Sequence, residues 1–314
     1  MPPPPIAPGR PLAQALRAHP LFFEPVPPSA RTPSSAVEER EETLARLLQS
    51  VPRVDALVIP ELVDENHEGK PRYRSGDLHG FATELQAKVG RDAILNKVVA
   101  HLASVTELEQ WAHDTVARGV RHSVLVGGAS RYIPYPGPAV AEADRVCRPI
   151  FRAVDGQVGN IMIPQRTGEA HRMLSKTRAG ASFFTTQILF DAEQIIDVVR
   201  EYDLLCRQAA TPPAAVVVSF APIVDEMDVE FIRWLGADVS DAAEEAILNG
   251  RESGGGARSE ARVLEVWDHL VRVAHDGESG VPLGVNVEQI SPRHLEAAGH
   301  MVRRFAERAP FGPG

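Results

Sequence analysis

The strongest constraint on the fold of this chain is an alternation. Short runs rich in Val, Ile and Phe recur along it, and most are separated by longer stretches whose apolar residues follow helical spacing. That pattern belongs to βαβ units around a parallel sheet. It predicts strands at Leu21 to Val26, Ala56 to Pro60, Ile94 to Ala100, His122 to Val126, Asn160 to Ile163, Phe183 to Leu189, Ala215 to Phe220 and Pro282 to Val287. Helices are expected at Ala36 to Gln49, Val105 to Arg118, Ala139 to Ala153, Ala192 to Arg207 and Ser291 to Ala306. The stripes Leu44, Leu47, Leu48 and Ile195, Ile196, Val199 should face the sheet. Eight strands in about 270 residues fit a (β/α)8 TIM barrel better than an open sheet, although periodicity alone does not separate the two. The expected organisation is a proline-rich arm over 1–20 and one α/β barrel over 21–314, with a helical insertion at about 238–278 before the eighth strand. The Gly-rich turn Ser253-Gly254-Gly255-Gly256 within that insertion reads as a solvated hinge, since no strand precedes it and no Lys-Ser/Thr follows.

Composition narrows the partners. Hydrophobic residues at 44% and charged residues at 24% are those of a folded globular chain. A formal charge of −9 offers no overall attraction to phosphates, so nucleic acid is not an expected partner. The first eight residues hold five prolines and no apolar run, which fits neither a signal peptide nor an anchor. Nowhere is there an uncharged apolar stretch of the roughly 18 residues a membrane helix needs, so no membrane partner and a cytoplasmic location are expected. Cys147 and Cys206 fall in predicted helices without a second Cys or a His at metal-ligand spacing. They read as buried thiols of a reducing compartment, and no metal site is expected.

In a barrel of this type the chemistry sits at the carboxyl ends of the strands. Glu24 stands in the otherwise apolar, proline-bounded Phe22 to Pro28, where desolvation would raise its pKa and suit it to act as a general acid. The alternative is an edge Glu paired with an Arg. Glu61, Asp64, Glu65 and Glu68, with His67 among them, form an acidic loop after the second strand, either a solvated loop or part of the site. Arg166 ends the fifth strand, placed to clamp a ligand carboxylate or phosphate or to pair with Glu169. Gln187 in the sixth strand offers a donor and an acceptor to a flat heterocycle with amide-like edges, whereas Asp191 reads as a helix N-cap. Glu288, at the end of the eighth strand, is a further candidate.

These segments, in this order, resemble the methylenetetrahydrofolate reductase family. Phe23-Glu24-Pro25-Val26-Pro27-Pro28 is similar to the family's first-strand Phe-Glu-Phe-Phe-Pro-Pro. Ala179-Gly180-Ala181 with Thr186-Gln187 and Asp191 is similar to its Ala-Gly-Ala, Thr-Gln, Phe-Asp stretch, and Val99-Ala100-His101-Leu102 to its Pro-His-Leu-Thr. The resemblance runs from about residue 20 to 306 and implies a (β/α)8 barrel. It also implies that Glu24 protonates the folate as its imidazolidine ring opens and that Gln187 contacts the pterin. Where the flavin-dependent members carry Arg-Gly-Asp after strand four, this chain has Val126-Gly127-Gly128. Their flavin-packing Tyr is replaced by Ile163, and the Arg two turns on by Ser175.

The pattern is closer to the flavin-independent branch. The likeness rests on Glu24 to Pro28, Ile59-Pro60 with Asp64 and Glu65, Ile163 to Glu169, Ser219-Phe220 and Glu288. The resemblance thus implies reduction of 5,10-methylenetetrahydrofolate to 5-methyltetrahydrofolate by hydride passed directly from NADH or NADPH, without bound FAD. In that picture Asp64, Glu65, Arg166, Gln187 and Glu288 hold the folate. His101, Gly128, Ile163, Arg172 and Lys176 border the nicotinamide nucleotide, and the flavin-sized space left by Ile163 and Gly128 receives its flat ring. Arg172 and Lys176 match basic positions of the family, or are simply a solvated helix face. The competing readings are an FAD-dependent reductase of the same family and a non-redox folate-binding or methyl-transfer accessory protein.

Overall fold

The structure, a computed structural model, describes residues 9–130, 132–249, 255–308 and 310. In chain order it begins α1 (Leu12–Ala15), β1 (Leu21–Glu24), α2 (Ser34–Gln49), β2 (Ala56–Ile59), β3 (Val63–Glu65), β4 (Pro71–Tyr73) and α3 (Leu78–Val89). It continues β5 (Asp92–Val98), α4 (Val105–Ala117), β6 (His122–Val126), α5 (Val140–Arg152), β7 (Val158–Met162), α6 (Glu169–Ala179), β8 (Phe183–Ile188) and α7 (Glu193–Gln208). It ends β9 (Ala215–Phe220), α8 (Glu226–Trp234), α9 (Asp241–Leu248), α10 (Gly255–Asp276), β10 (Leu283–Glu288) and α11 (Leu295–Ala306).

Eight strands close in the order β1-β10-β9-β8-β7-β6-β5-β2, every neighbouring pair parallel. The expected (β/α)8 barrel is therefore the fold. All eight expected strands are present, with ends shifted by up to two residues; Val99 and Ala100, expected as the end of a strand, open a 3-10 turn over Val99–His101. Three elements were not expected from the sequence. The β3–β4 hairpin has strands of three residues each, none of them buried. Helices α3 and α6 bury only a few apolar side chains apiece, and α6 is mostly polar.

The elaboration before the last strand lies earlier than expected. The additional helices are α8 and α9, spanning 226–248. Helix α10 is instead part of the barrel wall: its Trp267 packs edge-on against Phe305 of α11, which in turn stacks on Phe220 of β9. The reason is its apolar face, since Val263, Leu264, Val266, Trp267 and Leu270 are all buried in the main core. Gly255 and Gly256 open this helix, with Gly255 buried, so they are not a solvated hinge; Ser253 and Gly254 lie outside the described residues.

The arm also has a packing role. Inside the barrel, Phe22, Ala56, Val58, Ile94, Val124, Phe183, Ala215 and Val217 form a layer that Leu12, Ala15 and Leu16 of the α1 segment cover from below. Arg10 ties this plug to the sheet through a two-pronged contact with Asp55, at 2.5 and 2.9 Å. Asp55 also accepts from Arg53 at 2.8 Å and from the Leu21 backbone N–H at 2.8 Å, so one buried carboxylate anchors the floor. Residues 1–8 of the expected arm lie outside the described residues. Among the described residues, no helix is long and apolar enough to cross a membrane. Leu12→Ala is expected to lower unfolding stability by about 3 kcal/mol, as truncation of a fully buried leucine does. Urea titration measures it, and an unchanged midpoint would show that the plug adds nothing.

Candidate functional site

The carboxyl ends of β1, β2 and β10, with the hairpin and α8, enclose a cavity of about 490 Å³. Its wall includes Glu24, Glu61, Asp64, Glu65 and Glu288 together with Arg74, Phe231, Trp234 and Leu235. That size suits one flat heterocycle and its substituents. Strand alternation explains the deepest of these: inward positions on β10 recur every second residue, so Asn286 and Glu288 both face the lumen. Register then places Glu24 opposite Glu288 across the β1–β10 ladder.

Asn286 Nδ2 donates to Glu24 Oε2 at 2.9 Å and to Ser219 Oγ at 3.2 Å. Desolvation at the barrel mouth, followed by the charge of Glu288, drives the Glu24 pKa well above the ordinary carboxylate range, against a smaller lowering by Asn286. Desolvation likewise raises Glu288, to about 7, against the Ser219 bond. Glu24 thus has the environment of an acid that keeps its proton near neutrality, and among the described residues no Arg pairs with it.

The acidic loop is neither idle nor merely solvated. Its first part is held in ion pairs: Lys97 Nζ meets Glu61 Oε1 at 2.7 Å, with the Tyr73 ring 5.6 Å from the ammonium, and Arg74 meets Asp64 at 3.3 Å. Glu65 reaches behind the hairpin. It accepts from the Tyr135 hydroxyl at 2.5 Å and contacts His101 Nε2 at 2.8 Å. His67 and Glu68 are exposed at the hairpin tip.

Several expected site residues lie elsewhere. His101 is fully buried beneath the hairpin, packed between the rings of Tyr73 and Tyr135. The open slot expected above Gly128 is filled: a Cβ there would lie 2.1 Å from the Tyr135 ring, so glycine is what allows that ring to lie on the backbone. Lys176 donates to the Ile161 carbonyl at 2.9 Å in the layer between α6 and the sheet, against the Phe184 ring, and does not reach the mouth. Arg172 donates to the Thr167 carbonyl at 2.5 Å and faces Glu169 on its own helix. Glu169 is not paired with Arg166; it accepts from the Ile163 backbone N–H at 3.1 Å. Arg166 is exposed beyond β7 and has no ion pair among the described residues. Gln187 sits on a bulged part of β8 beneath the turn at Gly236, where a Cβ would come within 3.3 Å of its amide nitrogen. Ile163, Arg166, Arg172 and Gln187 do not line the cavity.

Asn286, Tyr135 and the α8 aromatics were missed in the sequence, and Ser219 was noted only as part of a family-like motif, with no role. Phe231 and Trp234 stack at 5.8 Å, and Trp234 remains 61% exposed, an unusual position for so large an apolar surface. Asn286 could have been found, because it shares the period-two face of Glu288. Tyr135 lies in a Gly- and Pro-rich loop with no periodic signal.

Comparison with known proteins adds the fold and little sequence. No protein-family model matches the chain, and no curated protein matches it. A solved structure described as an uncharacterized protein from Clostridium thermocellum that binds two copies of 5-methyl-5,6,7,8-tetrahydrofolic acid aligns with a TM-score of 0.75 at 15% identity. The alignment covers 93% of this chain and 97% of that one. Oxaloacetate acetylhydrolase in complex with the product oxalate aligns at a TM-score of 0.48 and 11% identity, over 98% and 89% of the two chains, and nothing about the site follows from it. The shared property is the barrel.

Chemically, the mouth combines a proton donor, a row of acceptors for N–H groups and an aromatic wall. The two thiols lie outside it, both buried, with Cys147 pushed up by its surroundings to about 12, so neither offers a nucleophile. Gly128→Ala should lift Tyr135, release Glu65 and loosen the hairpin. Protease cleavage within 66–70 is expected to accelerate about tenfold, equivalent to about 1.4 kcal/mol of lost docking; an unchanged rate would show that the Tyr135 contact does not hold the hairpin.

Proposed function

We propose that the barrel mouth binds a reduced folate and that the protein reduces 5,10-methylenetetrahydrofolate to 5-methyltetrahydrofolate, taking hydride directly from NADH or NADPH without bound flavin. The observation that carries this reading is Glu24, an acid kept neutral in a cavity that has acceptors on one side and the Phe231–Trp234 wall on the other. A pterin suits such a cavity: its amino group and ring N–H are donors for carboxylates, and its face and the benzoyl ring are apolar. Tetrahydrofolate binding by the Clostridium thermocellum protein of the same fold supports this choice, as do the family-like motifs around Glu24 and Gln187.

Glu24 transfers its proton to N10 of the substrate, the bond from N10 to the methylene carbon breaks, and that carbon becomes the iminium carbon on N5. Reduced nicotinamide supplies hydride to this carbon when bound, and leaves oxidised. The aromatic wall excludes water from the ring face, and Arg166, exposed beyond β7 without an ion pair among the described residues, is offered to a phosphate or the glutamate tail. Ile163 in place of an aromatic stacking partner supports the flavin-free version; the Tyr135 ring over Gly128 fills the slot expected for the nicotinamide, so on this reading that ring binds elsewhere in the mouth.

Anaerobic NADH oxidation with methylenetetrahydrofolate, run with and without added FAD, tests the reading. Turnover without FAD is expected. Dependence on FAD, or a stoichiometric yellow cofactor in the purified protein, would replace it with the flavin-dependent alternative. Folate binding with no NADH consumed would replace it with a non-redox binder. Glu24→Gln is expected to lower turnover by about 10²- to 10⁴-fold while sparing folate affinity. Near-normal turnover would remove Glu24 from the reaction.

A further inference from the structure

Among the five carboxylates on the cavity wall, two differ from the rest. Glu61 has Lys97, Asp64 has Arg74, and Glu65 has His101 and the Tyr135 hydroxyl. Glu24 and Glu288 form no ion pair among the described residues. They occupy matched positions on adjacent parallel strands, and Glu24 is bonded by a neutral group, the Asn286 amide. Asn286 also bonds Ser219, so neutral side chains of β10 and β9, not cations, accompany the two carboxyls.

Two carboxylates facing one desolvated lumen without a cation do not both ionise. An asparagine between them is suited to the exchange. Its amide nitrogen donates to a carboxylate and its oxygen accepts from a carboxylic acid, and Asn286 Oδ1 is buried without a donor in the present orientation.

We propose that Glu24 and Glu288 hold a single proton between them, and that Glu288 is the positioning residue that keeps this proton on Glu24 until substrate takes it. The inference rests on the role given to Glu24 above and adds a partner to it. The pair then carries one negative charge with substrate bound. When Glu24 gives its proton to N10, the pair becomes a dianion at the moment the folate becomes a cation at N5. The repulsion that held the proton is thus relieved by the charge it creates, and Glu24 recovers a proton from solvent after product leaves. The other charged groups around the lumen, Glu61, Asp64, Glu65, Arg74, Lys97 and His101, are matched to one another in ion pairs. The coupled titration is that of Glu24 and Glu288.

The direct test needs no substrate. Protein labelled with ¹³C at the glutamate side-chain carboxyl is titrated by NMR, with Glu24→Gln and Glu288→Gln assigning the two signals. In the wild type, one proton is expected to leave the pair well above the ordinary carboxylate range, seen by both signals together. In Glu288→Gln, the Glu24 transition is expected to move to lower pH by on the order of one unit, since the repelling charge is gone and the desolvation remains. Turnover should follow. The alkaline limb of the pH profile moves down by the same amount in Glu288→Gln and is restored toward wild type by Glu288→Asp. Two independent titrations in the ordinary range, or a Glu24 transition unmoved by Glu288→Gln, would overturn the proposal. Absence of activity on folates with the shared titration intact would overturn the functional reading and leave the pair standing.

Discussion

Closure of the barrel through β1 and β10 is the constraint on which the rest depends. The first and last strands of the sheet meet in parallel, and the bond between Asn286 and Glu24 joins positions 262 residues apart. Parallel pairing leaves no sliding freedom once both strand faces are buried, because a slip of one residue turns every side chain to the opposite layer. The register therefore fixes more than shape. It sets Glu24 beside Glu288 at the open end, and apolar Phe22 beneath them where the plug closes the floor.

The two ends of the barrel treat charge in opposite ways. At the floor, Asp55 is saturated by two arginines and a backbone N–H, a fully paired group that holds structure. At the mouth, pairing is graded. Ion pairs and a tyrosine satisfy the carboxylates of the hairpin segment, and the deepest two are left with neutral partners. Burying an unpaired charge is costly, so such a group takes up a proton and is thereby prepared to give one away. Interlocking of the hairpin with the loop after β6, through Glu65, Tyr135 and Gly128, encloses that pair on one side. Helix α8 encloses it on another with exposed aromatic surface.

Legibility in the sequence followed periodicity. Strands such as β6 and β9 could be placed to the residue because each is a short Val-rich run, buried at every position in β9 and at all but the last in β6. Glu24 and Glu288 stood out because each interrupts or ends an apolar run. Lys176 and His101, by contrast, looked like ligand contacts only while their direction was unknown. A long side chain at a helix end can turn either to the mouth or along the sheet, and burial of its stem decided for the sheet. The slot expected above Gly128 failed for a similar reason: a missing side chain leaves room, but Tyr135, seven residues further on, uses it.

By itself, then, the sequence determined the fold class, the acidic character of the mouth and the candidate acid, because these depend on residue type and local period. Only the tertiary structure decided which carboxylates are neutralised and which are not, where the elaboration begins and which cations face inward. Those outcomes depend on contacts between strands and loops far apart in the chain. Closure of the barrel brings them together, and no local pattern encodes their distances.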